Sequence, residues 1–93
     1  MTHMEAARTL ARSNLRALLK IADDSPRHGY LHHEKMAAFN GLSAAARFAR
    51  LIDANEAGEL LDKVADAMLD NGAMGTPETA RPHLEGLLKE VEE

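Results

Sequence analysis

The chain contains no cysteine and no tryptophan, and its only aromatic side chains are Tyr30, Phe39 and Phe48. Without cysteine there is no disulfide framework, no thiol nucleophile and no thiolate metal site, a composition that fits a cytoplasmic protein. Three interior-looking aromatics are too few for a base-stacking platform. No apolar run approaches the ~20 residues needed to cross a bilayer, so no membrane partner is expected. The opening Met1-Thr-His-Met4 leads into a charged helical pattern rather than a signal peptide. The catalytic inventory is equally thin, with three serines, one tyrosine, no glycine-rich phosphate loop, no nucleophile elbow and no His-Glu-x-x-His motif. The sequence therefore predicts a non-enzyme that needs no cofactor. Its 93 residues form one helical domain, residues 1–93, near the lower size limit for a self-sufficient core, where dimerisation would add stability.

What the sequence does have is charge in ordered rows. Arg8, Arg12, Arg16 and Lys20 follow one another at a step of four, and so do Asp62, Asp66 and Asp70, with Glu59 beside them. On a helix such a step makes a slowly drifting stripe on one side. The net charge of −4 hides a division. Residues 1–50 hold eight Lys/Arg against four Asp/Glu, and residues 51–93 hold three against eleven, so the halves carry +4 and −8. This asymmetry bears on partners and association rather than on fold.

Apolar spacing predicts four helices. Met4, Ala7, Ala11, Leu15, Leu18 and Ala22 recur at steps of three and four and define the first, residues 4–22. Asp23 to Gly29 collects turn-formers around Pro26 and reads as a loop. Leu31, Ala38, Leu42, Ala45, Ala49 and Ile52 define a second helix over 31–53, running through Asn40-Gly41. The alternative is a break at that pair, since glycine costs about 1 kcal/mol inside a helix. A second ridge of Ala37, Ala44, Phe48 and Leu51 widens the apolar face, leaving little but Asn40, Ser43, Arg47 and Arg50 for water. This alanine-rich helix is expected at the centre of the bundle. Ala37, Gly41, Ala45 and Ala49 give it a shallow groove in which another helix can settle closely.

Asp53-Ala-Asn-Glu56 has the spacing of a capping box. It is expected to open a third helix built on Ala57, Leu60, Leu61, Val64, Ala65 and Met68 and closed by Asn71-Gly72. After a loop over 73–78, in which Thr76-Pro77 can start a single turn, Leu84, Leu87, Leu88 and Val91 define a short fourth helix. Pro82 falls in its first turn, and its acidic end, Glu90 to Glu93, opposes the helix dipole and should fray.

The basic and acidic rows lie opposite the apolar arcs of the first and third helices. If both arcs turn inward both rows turn outward, so they cannot pair along their length within one molecule. Successive like charges cost about 0.2–0.5 kcal/mol per pair, a cost that an external partner relieves. An amphipathic helix must place something polar outside, so the rows serve first as solvated faces. They are also the candidate partner-binding residues: Arg8, Arg12, Arg16, Lys20, Glu59, Asp62, Asp66 and Asp70.

Other constellations are weaker. His28, His32 and His33 crowd one segment, but His32 and His33 point about 100° apart on a helix, and zinc requires three or four convergent ligands. No metal site is assigned. Ala37 and Gly41 have the small-residue spacing of a helix-turn-helix, yet that alignment puts Arg47 and Arg50 where its second helix must be apolar. Met36, opposite the buried arc, marks a possible hydrophobic contact.

The sequence thus predicts an all-α, compact bundle of about four helices with a central alanine-rich second helix. Its function is read as a cytoplasmic protein-protein interaction or regulatory module that presents charged helical faces to a protein partner or to its own copy, as a homodimer. The alternatives are a nucleic-acid-associated regulator using the basic face of the first helix, binding weakly, or an acidic nucleic-acid mimic using the third and fourth.

Overall fold

Four helices make up the described residues, which in this computed structural model are 2–24, 31–70 and 77–92. They are α1 (His3–Asp24), α2 (Leu31–Leu51), α3 (Asn55–Asp70) and α4 (Pro77–Glu92). Three of them bury most of the apolar arc that their sequence spacing defines: Ala7, Ala11, Leu15 and Leu18 on α1, Ala57, Leu61, Val64, Ala65 and Met68 on α3, Leu84, Leu87 and Val91 on α4; on α2 Ala38, Leu42 and Ala49 of the expected arc are buried, but Ile52 is exposed. The largest fully buried side chains, Leu15, Leu42, Met68 and Leu84, come one from each helix and mark the centre of the core. Among the described residues nine of the eighteen buried apolar side chains are alanines, which lets helix axes approach toward the short end of the usual 8–10 Å range.

The bundle is all-α, with its most extensive helix pairings α2 on α3 and α1 on α4. α1 and α3 meet every other helix, whereas α2 and α4 barely touch one another. The molecule measures 41 × 22 × 18 Å, little more than two helices thick. Such a cross-section gives α2 neighbours on one side only. Its buried ridge is Lys35, Ala38, Leu42, Ala46 and Ala49, while the second ridge expected to be covered, Ala37, Ala44, Phe48 and Leu51, faces solvent.

Several local expectations are revised. α2 runs unbroken through Asn40-Gly41, since Gly41 sits on the exposed side and the flanking turns are packed. Asp53 does not cap α3. It adopts φ 67° and ends α2: its N–H donates to the Arg50 carbonyl at 3.3 Å, and the Ala54 N–H donates to the Ala49 carbonyl at 2.7 Å. This paired pattern around a left-handed residue is a Schellman closure, completed by the apolar contact expected between the buried Ala49 and Ala54. The first carbonyl used by α3 is therefore that of Ala54, which accepts from Gly58 N–H at 3.1 Å. The helix begins one residue later than the capping box implied, with Ala54 rather than Asp53 in the cap position, and the α2–α3 link is only Ile52, Asp53 and Ala54.

Two further corrections concern the other helices. α1 extends through Asp23 and Asp24, two residues past its expected end. α4 starts at Pro77, so Pro82 lies inside the helix rather than in its first turn. The ring of Pro82 is exposed, and at that depth it removes a single helical hydrogen bond. The acidic end does not unwind before Glu92, which pairs with Arg16 at 3.2 Å. The remaining loop expectations, including Asn71-Gly72, lie outside the described residues.

Candidate functional site

The basic row stands on the side of α1 away from α2. Arg8, Arg16 and Lys20 are exposed and Arg12 half-buried. Near the far end of this helix Asp23 pairs with Arg81 of α4, and Arg16 with Glu92. These contacts fix α4 antiparallel to α1, and α4 ends at about the level of Arg16. Arg12 donates to the hydroxyl of Thr9 at 3.3 Å, and among the described residues neither Arg8, Arg12 nor Lys20 has an acidic partner.

The acidic row behaves in the same way. Glu59 and Asp66 are exposed, and Asp62 pairs with Arg50 of α2 at 2.5 Å, both side chains about two-fifths exposed. Asp70 closes α3, with its side chain outside the described residues. The structure thus brings neither row to the other. Arg16 and Asp62 hold helices together, each in an exposed pair worth about 0–1 kcal/mol; Arg8, Lys20, Glu59 and Asp66 are the members turned to solvent, and Arg12 is half-buried.

A second surface was not foreseen. Among the described residues five large apolar side chains are exposed: Leu10, Met36, Phe48, Leu51 and Ile52, with Phe48 at 61% and Leu51 at 84%. Four of them gather where the start of α1 meets the end of α2. There the seam between the helices opens into a groove of about 200 Å³ lined by Ala6, Leu10, Ala45, Phe48 and Ile52, with His3 at its edge. Further along the same seam a groove of about 190 Å³ is lined by Asn14, Ala17, Ile21 and Ala37, with Glu34 at its end. Between these ends the exposed residues of the seam, including Ser13, Gly41 and Ala44, carry no charge. Gly41 is open enough that a Cβ there would meet nothing within 4 Å.

The small-residue groove predicted on α2 is thus divided between two faces. Ala49, joined by Ala46, packs inward, and at the tightest point a Cβ on Gly58 would lie 3.0 Å from the Ala46 carbonyl oxygen. Ala37 and Gly41 face outward. The missed signal was arithmetic: α2 carries apolar or small residues on most of its circumference, more than neighbours on one side can cover.

The sequence reading also passed over Lys35, which is 2% exposed. Its ammonium has no hydrogen-bond partner among the described residues, and burial lowers its pKa from 10.5. It precedes Ala38 and Leu42 by three and seven positions, so helical projection alone places it on the inner face. Of the histidines, His33 is exposed on α2 and His83 lies with Nε2 3.2 Å from the Ala67 carbonyl oxygen. His28 and the side chain of His32 lie outside the described residues. Comparison with protein-family models, with curated proteins and with solved structures found no match in any of the three.

Proposed function

We propose that this protein is a non-enzymatic interaction module of the cytoplasm that uses the free end of its basic row to engage an acidic surface on a protein partner. The observation that carries this reading is that Arg8, exposed, and Arg12, half-buried one turn further on, have no acidic partner among the described residues. Two guanidiniums one helical turn apart form a fork-shaped donor array suited to carboxylates. The opposite charge of the C-terminal half keeps the rest of the molecule from competing for the same partner and orients the approach. The grooves along α1 and α2 have mainly apolar linings, a chemistry of contact rather than of group transfer.

The test is affinity capture from the source cell with wild type and an Arg8→Glu/Arg12→Glu variant as baits. Arg16 is left in place because it holds Glu92. The variant should keep its helicity, change stability by no more than about 0.5 kcal/mol as surface substitutions do, and lose an acidic protein that wild type retains. Identical captures by both baits would remove the row from the interface. Retardation of duplex DNA by wild type, falling steeply with salt, would assign the arginines to phosphates instead.

A further inference from the structure

The α1–α2 seam lies on a different side of the molecule from the basic row, and its chemistry is the reverse: apolar, small and uncharged. Along α2 its members are Ala37, Gly41, Ala44, Phe48 and Leu51, all exposed and spaced four, three, four and three apart. That is the heptad spacing of a helix seam that packs against another helix. Nothing in the described fold occupies it.

We propose that this face pairs with the same face of a second copy, the α2 helices running antiparallel about a two-fold axis beside Ala44. Three observations favour a second copy over another protein. The first is shape. The seam is bulky at one end, where Phe48 and Leu51 protrude, and flat at the other, where Ala37 and Gly41 leave the backbone bare. A two-fold axis turns one end onto the other. With its centre beside Ala44, Phe48 of each copy lies over Gly41 of the partner subunit and Ile52 over Ala37 of the partner subunit. Each knob meets a hole, and the contact is reciprocal as an isologous interface requires.

The second observation is charge. The two grooves are lined by no ionisable residue other than His3 and Glu34 at their ends, so the seam itself offers little to a charged partner; exposed Arg47 borders the α2 row and stays at its rim. On this chain, where the first helix is basic and the third acidic outside, the seam lets two copies meet with Arg47 at the rim rather than a charged row at the centre. The third is size. Two helices about 30 Å long, with axes about 10 Å apart, present a footprint of roughly 600 Å². The corrugated accessible area exceeds that footprint and comes close to the ~800 Å² per partner of a standard interface. A core built largely of alanine in a 93-residue chain stands to gain stability from covering it.

The pairing is independent of the basic row, which stays exposed on the outer side of α1 in both copies. The experiment is sedimentation equilibrium of the full chain at about 100 μM, well above the micromolar Kd that modest interfaces of this size support. Wild type should have twice the 10.1 kDa chain mass. Phe48→Glu removes the knob and Gly41→Arg fills the hole. Both positions are exposed, so both variants should keep wild-type helicity and sediment as monomers. Arg8→Glu/Arg12→Glu should stay dimeric, which separates this proposal from the preceding one. A cysteine introduced as Ala44→Cys, the chain's only one, should cross-link to itself on oxidation, whereas Glu85→Cys on α4 should not. A monomeric wild type would overturn the proposal, even if it bound another protein through Phe48. So would a dimer that survives both Phe48→Glu and Gly41→Arg, since its interface would then lie elsewhere.

Discussion

Lys35 is the residue at which the fold departs furthest from ordinary chemistry. Its ammonium is enclosed in the α2 face of the core with no hydrogen bond among the described residues. A buried charge left unpaired costs free energy, and the lowered pKa is the same cost seen in protonation. Replacing it by methionine, of similar length and without a charge, should stabilise the protein by about 1–3 kcal/mol near neutral pH. The pH dependence has a defined sign. The unfolded chain holds the Lys35 proton up to its ordinary value of 10.5, whereas the folded chain releases it earlier. Between the lowered value and 10.5 the unfolded state binds more protons, so wild-type stability rises with pH across that window. Lys35→Met has no such slope, and its advantage should shrink as pH is raised from 7 toward 10. Chemical denaturation of both proteins at several pH values measures this; a constant difference would mean that the lysine finds a partner in solution.

Two glycines show how the elements are held. Gly41 and Gly58 both lie inside helices, where glycine is unfavourable by about 1 kcal/mol relative to alanine. At Gly41 a Cβ meets open space; at Gly58 it comes within 3.0 Å of the Ala46 carbonyl oxygen and 3.3 Å of Arg50 Cγ. The Arg50 side chain can shift, though only by disturbing its pair with Asp62, but the Ala46 oxygen belongs to a helical backbone. Gly41→Ala should therefore gain about 1 kcal/mol, seen in dilute solution as a rise of about 4–8 °C in Tm. Gly58→Ala should lose about 1 kcal/mol net, the cost of overpacking exceeding the gain in helix propensity. Equal changes in the two melting curves would show that α2 and α3 are not in close contact at Gly58. Legibility in the sequence divides along the same line. The helices and inner arcs of α1, α3 and α4 could be read from spacing because each apolar arc is narrow and admits one orientation. The orientation of α2 could not, because alanine and glycine at Ala37, Gly41, Ala44, Ala45, Ala46 and Ala49 fit either the inside or the outside. Asp53 misled for a related reason: an aspartate before a helix favours a cap by type, but the Schellman closure of α2 claims it first. The charged rows were legible as outward faces, while the loss of Arg16 and Asp62 to inter-helix pairs depends on where α4 and α2 lie.

For the whole molecule, the proposed pairing makes stability and self-association one quantity. If two copies cover each other's α1–α2 seam, folding is coupled to pairing, and mass action makes Tm rise with protein concentration. Each tenfold increase above the dissociation constant adds RT ln 10, about 1.4 kcal/mol, per dimer. Spread over the unfolding entropy of two 93-residue chains, that is a rise of about 3–6 °C per decade. Gly41→Arg acts in opposite directions on the two terms. It improves the helix by close to 1 kcal/mol in a site where nothing obstructs it, and it places a charged side chain where Phe48 of the partner subunit would sit. The variant should therefore melt above wild type in dilute solution, show no dependence on concentration, and be overtaken as wild type is concentrated. Scanning calorimetry over two decades of concentration would show the two melting lines crossing. Parallel lines would mean that the substitution touches only the helix, leaving Gly41 as a surface glycine and the seam as a face that no second copy covers.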